Sequence, residues 1–169
     1  MVSLILALAF CKNPVPAFSA TASNGKNVTE KLLREKPSVV VFLKKGCPCN
    51  PDAAKNLNKL VGDLGDSAQV VAFINSDQKG AMEEAKALKA KFTIIPDDKK
   101  TVISGCGATR SLDFTVVATT DAPRFPKLWN GYSSGTMNEA LDIVVKHGKT
   151  LKKWDVSAFP KEAVAGCGF

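Results

Sequence analysis

A chain of 169 residues with 45% hydrophobic composition can bury one proper core and is too short for two comfortable ones. Its net charge of +7 permits acidic partners, but the 23 basic residues are spread along the whole sequence, with no basic run interleaved with aromatics and no reader motif, which argues against nucleic-acid binding. A single histidine makes a serine, histidine and acid triad a poor expectation, and no glycine-rich phosphate loop occurs.

Met1 to Phe10 is apolar, too short to span a bilayer, and is similar to the end of a secretory signal, although no positive charge precedes it. Leu8-Ala9-Phe10-Cys11 also resembles a lipoprotein cleavage site, with Phe10 bulky where a small residue is wanted. Residues 1–13 are therefore read as a signal or lipoprotein leader, residues 14–148 as the folded domain, and residues 149–169 as a C-terminal tail packed on it. This organisation implies an extracytoplasmic or periplasmic protein, attached to a membrane only if Cys11 is lipidated. A first buried strand or a misplaced start is the alternative, and it leaves a cytoplasmic location open. Without Cys11, four cysteines remain, an even number that suits an oxidising compartment but does not dictate pairing.

Pro14 to Asn27 reads as loop and short hairpin, turning at Ser23-Asn24-Gly25-Lys26, and Val28 to Arg34 as a small helix. The run Ser38 to Leu43 is the first central strand. From Pro51 onward Ala53, Leu57, Leu60, Val61 and Leu64 recur at helical spacing, with Gly62 and Gly65 marking the end. Gln69 to Ile74 is a second buried strand, parallel to the first because a helix intervenes. Its partner helix carries Ala81, Ala85, Leu88 and Phe92 on one stripe. A short strand at Phe92 to Ile95, a helix at Asp97 to Ile103 and a β-branched strand at Leu112 to Thr119 follow. A turn at Asp121-Ala122-Pro123 leads into an antiparallel return strand, Phe125 to Tyr132. Thr136-Met137-Asn138-Glu139 fits a capping box and opens a helix burying Met137, Leu141, Val144 and Val145, closed by Gly148. In the tail, Trp154, Val156 and Phe159 are the expected anchors. His147 reads as a surface residue at a helix end, and Trp129 and Trp154 as packing residues. Alternating strands and helices of this kind give an α/β fold of layered elements.

The chemistry concentrates at Gly46-Cys47-Pro48-Cys49, where the first strand hands over to a helix. Asn50-Pro51-Asp52 is a strong helix opening, with Asn50 as N-cap, Pro51 in the first turn and Asp52 at the positive end of the dipole. Cys49 then sits at the helix N-terminus, where unpaired amides favour a thiolate, and Lys44 and Lys45 add positive charge. A zinc knuckle wants two further ligands at suitable spacing, and Cys106 and Cys167 do not repeat the pair. Cys106 and Cys167, each flanked by glycines, are candidate resolving thiols; the alternative is that they bond to each other as a staple.

Pro14-Val15-Pro16-Ala17-Phe18, Asn24-Gly25-Lys26, Val41-Phe42-Leu43 and Cys47-Pro48-Cys49 together resemble the thioredoxin-like proteins of the alkyl hydroperoxide reductase and thiol-specific antioxidant (redoxin) superfamily, over about residues 14 to 147. The resemblance implies a thioredoxin-like three-layer α/β/α fold with a central mixed sheet, and Cys106 near the dithiol. Three departures stand out. Only Pro48 separates the two cysteines, so a disulfide between them would be strained. Gly46 and Lys44 occupy the positions three before Cys49 and Cys47, where peroxiredoxins carry Thr or Ser. Arg110 follows Thr109 where the family presents a proline facing the thiol, which makes Arg110 either a thiolate-stabilising cation or an ordinary loop arginine.

The expected function is thiol–disulfide oxidoreduction or peroxiredoxin-like thiol reduction, without a cofactor or metal. Cys49 is preferred as the attacking thiol on helix position, with Cys47 close behind. The implied partners are a dithiol electron-donor protein and a disulfide or peroxide substrate. The alternative is a non-enzymatic exported module whose Cys47 and Cys49 bind a soft metal such as copper.

Overall fold

The run Ser38–Leu43 becomes a strand buried at every position, and the other elements are arranged about it. In the computed structural model, which describes residues 14–118, 126–148 and 154–169, the chain forms β1 (Ser19–Thr21), β2 (Asn27–Thr29), α1 (Leu32–Glu35), β3 (Ser38–Leu43), α2 (Asn50–Leu64) and β4 (Gln69–Ile74). It continues as α3 (Gln78–Ala87), β5 (Thr93–Pro96), α4 (Thr101–Cys106), β6 (Phe114–Val117), β7 (Leu128–Trp129) and α5 (Ser134–Gly148).

The five-stranded sheet has the order β5-β4-β3-β6-β7. Helices α2 and α3 are the crossovers that make β3, β4 and β5 parallel, with Ser38 opposite Gln69 and Val71 opposite Thr93. β6 runs antiparallel to β3, and β7 antiparallel to β6. Side chains alternate between the two faces. Val39, Val41 and Leu43 join Val70, Ala72 and Ile74 beneath α2, α3 and α5. Val40, Phe42, Val71 and Phe73 face the other way, against Leu33 of α1, Val102 and Ile103 of α4, and the N-terminal hairpin. Phe18 caps that second layer edge-on to Phe73, ring centroids 5.1 Å apart. Each large aliphatic side chain fully buried in these layers contributes about 1.5–3 kcal/mol of transfer free energy. The result is the expected three-layer α/β/α arrangement with a central mixed sheet.

Several boundaries differ from the sequence expectation, each for a local reason. Val28 lies in β2 rather than a helix, because Asn27–Thr29 pairs antiparallel with Ser19–Thr21; only the one-turn α1 follows. Helix α3 stops at Ala87, and Leu88 and Phe92 reach the core from the connection that follows. Helix α4 begins at Thr101, four residues later than Asp97, because the Asp97 carboxylate accepts the backbone N–H groups of Thr101, Val102 and Ile103 at 2.8, 3.0 and 2.9 Å. Helix α5 is capped by Ser133 rather than Thr136. Thr136 N–H donates to Ser133 Oγ and Ser133 N–H to Thr136 Oγ1, a reciprocal closure shifted by three residues. Glu139, freed from that box, accepts from Trp129 Nε1 and Lys127 Nζ instead. The leader, the Asp121-Ala122-Pro123 turn and Phe125 lie outside the described residues. Of the tail, Phe159 is buried edge-on to Tyr132, and Trp154 and Val156 pack against the first layer.

Candidate active site

β3 delivers the chain to a turn in which Cys47 N–H donates to the Lys44 carbonyl at 3.1 Å. Gly46 takes φ +71°, a left-handed conformation that side chains resist. Cys49 has a right-handed helical backbone, and its carbonyl receives Ala53 N–H at the start of α2. Asn50 is therefore inside the helix rather than capping it.

Its side chain has another task. Asn50, only 1% exposed, donates from Nδ2 to the Lys44 carbonyl and to Glu84 Oε1, both at 2.8 Å, and Oδ1 accepts from Ser111 Oγ at 2.9 Å. Ser111 Oγ in turn accepts Lys44 N–H at 3.0 Å, and Glu84 Oε2 accepts Gly46 N–H at 3.3 Å. The network joins α2, α3, the loop before β6 and the cysteine turn. Sequence reasoning missed it, although one signal was present: Glu84 stands on the Ala81, Ala85, Leu88 stripe, where a carboxylate is out of place unless it is bound.

The loop before β6 is shaped by Asp113, whose buried Oδ2 accepts the backbone N–H groups of Thr109 and Arg110 at 2.9 and 3.0 Å. Leu112 beside it holds φ +71°, unusual for a bulky residue and a local cost. Against this loop lies the tail. Gly166 N–H donates to the Ser111 carbonyl at 2.7 Å, Ser111 N–H to the Cys167 carbonyl at 2.8 Å, and Phe169 N–H to the Thr109 carbonyl at 3.1 Å. A second antiparallel contact joins Val164 to Tyr132 in both directions, at 2.9 and 3.0 Å.

These contacts bring Cys167 onto Cys47, with the two sulfurs 3.2 Å apart and Cys167 N–H donating to Cys47 Sγ at 3.3 Å. Cys47 is 3% exposed. Burial pushes its thiol up, but the N–H groups of Cys167 and Cys49 and the two neighbouring thiols all favour its anion and outweigh burial, so the net direction is down. Cys49 moves up, through burial first and then its hydrogen bond to the Cys47 sulfur. Cys167 also moves up, first because it is bound to that sulfur. Of the three thiols the shift toward the anion falls on Cys47 alone, and the backbone donors converge on it rather than on the helix-start residue Cys49.

The remaining candidates fall elsewhere. Cys106 is 1% exposed among Val40, Phe42 and Ile103, across the sheet from the layer that Cys49 touches. Lys45 pairs with Glu83 at 2.9 Å. Lys44 Nζ donates to the Gly168 carbonyl at 2.6 Å and so bears on Cys167. Arg110 is exposed, its backbone bridged to Gly168. No disulfide joins Cys47, Cys49, Cys106 and Cys167. Among the described residues no group of three or more His, Cys, Asp and Glu is arranged to hold a metal ion, and no helix is long and apolar enough to cross a membrane.

A cysteine turn between a central strand and a helix, on a mixed sheet of this order, defines a thioredoxin-like protein of the thiol-redox class. The chain belongs to the AhpC/TSA family, which matches residues 11–121. No curated protein matches it. Solved structures share the fold. Peroxidoxin BcpB from Mycobacterium tuberculosis is 16% identical, with 85% of this chain and 99% of that chain covered and a TM-score of 0.63. DsbF from MTB is 22% identical over 75% and 94%, TM-score 0.62. An uncharacterised conserved protein from Geobacillus kaustophilus is 17% identical over 96% and 92%, TM-score 0.67.

Proposed function

We propose that the protein is a thiol–disulfide oxidoreductase in which Cys47 attacks and Cys167 resolves. The observation that carries this reading is the Cys47–Cys167 contact at 3.2 Å, with two backbone N–H groups favouring a Cys47 thiolate. The thiolate attacks one sulfur of a substrate disulfide; a Cys47–substrate bond forms and the other substrate sulfur leaves as a thiolate that takes up a proton. Cys167, losing its proton, then attacks the Cys47 sulfur. A Cys47–Cys167 disulfide forms and the second substrate thiol is released, so the substrate gains two electrons that the protein gives up. A dithiol protein restores the reduced state.

Cys49 serves here mainly through its N–H, and Cys106 as a packed core thiol. Disulfides suit the site better than peroxides, because Gly46 and Lys44 supply no hydroxyl where peroxiredoxins carry Thr or Ser. The apolar leader and the even cysteine count behind it favour work outside the cytoplasm.

The test is a redox titration of the full chain against glutathione, with each thiol read by mass, in the native protein and in Cys47→Ser, Cys49→Ser and Cys167→Ser. The reading expects a Cys47–Cys167 disulfide, loss of all turnover in Cys47→Ser, and a trapped mixed disulfide on Cys47 in Cys167→Ser. If Cys47 stays reduced across the range while the purified chain retains copper, the metal-binding alternative replaces it.

A further inference from the structure

The entry end of β5 carries a cleft that thiol chemistry at Cys47 leaves without a use. An open hollow of about 480 Å³ lies between α3, the hairpin turn at Ser23 and Asn24, and the segment Ala90 to Thr93. Its apolar side comes from Met82, Ala85, Ala90 and Phe92. Phe92 is 6% exposed and forms a floor, whereas Met82, at 49%, is the one large hydrophobic side chain left open among the described residues and forms a rim. No carboxylate lines the hollow, and Lys86, Lys91, Ser23 and Asn24 all offer donors. The acids of α3 are engaged elsewhere, Glu83 with Lys45 and Glu84 with Asn50. Among the described residues Lys86, Lys89 and Lys91 form no ion pair. The walls are held firmly. Lys89 has φ +48°, left-handed at a helix end where glycine is usual. Asn58 of α2 fixes that segment from both sides, donating to the Lys89 carbonyl at 3.0 Å and accepting Lys91 N–H at 2.7 Å. Ser23 ties the opposite wall to β5, its N–H donating to the Ile94 carbonyl at 2.8 Å and its Oγ accepting Ile94 N–H at 3.3 Å.

We propose that this cleft is a docking site for an acidic segment of a partner protein, in which an apolar side chain fills the floor and flanking carboxylates meet Lys86 and Lys91. Charge complementarity selects the acid, since each polar side chain of the lining can donate and none is negative. A recessed apolar floor takes an inserted side chain, which the flat surface of a bilayer does not supply. Main-chain addition to the edge of β5 is closed, because Ser23 occupies both bonding groups of Ile94 and Pro96 has no N–H, so the segment is read through its side chains. Position gives the site its use. β3, β4 and β5 run parallel, Ala90 to Thr93 lies where β5 begins, and Cys47 lies past the end of β3. The two sites therefore sit at opposite ends of the sheet, and a partner held in the cleft leaves the cysteine turn open to substrate. Docking here is independent of which cysteine attacks.

The experiment is fluorescence anisotropy of the full chain with a fluorescein-labelled peptide, Ser-Asp-Glu-Phe-Glu-Asp-Ser, at low salt. Lys86→Glu combined with Lys91→Glu should weaken binding roughly tenfold or more, because two attractive contacts turn repulsive. Lys31→Glu combined with Arg34→Glu makes the same change of net charge on exposed residues of α1, which packs on the other face of the sheet, and should alter binding by less than about twofold. Serine in place of the peptide's phenylalanine should cost about fivefold, through the apolar contact it gives up. Circular dichroism and disulfide-reducing turnover of the Lys86 and Lys91 variant should match the native chain, since both residues are exposed and far from Cys47. Should that variant lose its fold, Lys86→Gln combined with Lys91→Gln decides by the same comparison. Equal losses in the two double variants would reduce the effect to net charge and overturn the proposal, as would a native chain that does not bind the peptide. Sedimentation of the native chain with phosphatidylglycerol vesicles, lost in the Lys86 and Lys91 variant and with no affinity for the peptide, would overturn it in favour of a membrane surface.

Discussion

Replacing Asn50 with leucine tests whether the buried polar network builds the cysteine turn. Leucine matches asparagine in size but offers no hydrogen bonds, so the bonds of 2.8, 2.8 and 2.9 Å to the Lys44 carbonyl, Glu84 Oε1 and Ser111 Oγ are lost together, although the Lys44 carbonyl keeps Cys47 N–H and Ser111 Oγ keeps Lys44 N–H. A lost bond to a charged group costs about 1.5–3 kcal/mol and each neutral one about 1 kcal/mol, so the total is roughly 3–5 kcal/mol, a large share of the stability of a domain this size. The melting temperature should fall by about 6–20 °C, at roughly 2–4 °C per kcal/mol. Thermal unfolding followed by circular dichroism measures it. Ser111→Ala alone should cost less, and the double variant should cost less than the sum of the two, because both changes break the same bond. A shift below about 1 kcal/mol for Asn50→Leu would mean that the network is not what positions the turn.

Two further outcomes follow from groups that are charged or capped. Asp97→Ala should cost about 2 kcal/mol in urea unfolding, because three N–H groups at the start of α4 lose their acceptor together. Alkylation against pH should show Cys47 becoming reactive at lower pH than Cys49 and Cys167, judged by the midpoint of each profile rather than its plateau. The lowered Cys47 thiol adds stability that is present above its unfolded value and lost as pH falls through its folded one, whereas the two raised thiols favour the fold below the ordinary thiol value and lose that contribution as pH rises through theirs.

The sheet was legible because its strands are nearly continuous apolar runs, each separated by a helix with one apolar stripe. β3, α2 and β4 follow directly from that pattern. The cysteine turn was legible for the same reason, since it marks where the first run stops. What decides the chemistry was not. Whether Cys47 or Cys49 takes the charge depends on which sulfur the backbone donors face, and one of them, Cys167 N–H, comes from 120 positions away. Asn50 looked like a cap because its type and its proline neighbour fit one; only the packing of α3 and the Ser111 loop against it turns the side chain inward. Cys106 was misleading because sequence proximity to the Thr109–Arg110 loop says nothing of which face of the sheet α4 covers. Cys167 sits in a stretch with no periodicity, whose partners are main-chain atoms and leave no trace in residue type.

The choice of disulfide partner has a thermodynamic signature that can be read without any substrate. A bond from Cys47 to Cys167 ties positions 120 residues apart. Closing a loop of that size removes enough freedom from the unfolded chain to stabilise the fold by roughly 4–5 kcal/mol, if the folded geometry accepts the bond without strain. Sulfurs already 3.2 Å apart need little movement to bond. A Cys47–Cys49 bond constrains only the turn and does almost nothing to the unfolded chain, so the two pairings are told apart by melting the oxidised and reduced full chain. The long-range bond should raise the transition by about 10–15 °C, and an unchanged transition after complete two-thiol oxidation would assign the disulfide to the turn. By linkage the same free energy measures how strongly the fold favours the bond over the open dithiol. About 4 kcal/mol corresponds to roughly 90 mV in the reducing direction, enough to make the folded, reduced protein a better donor of electrons to substrate disulfides than its unfolded chain.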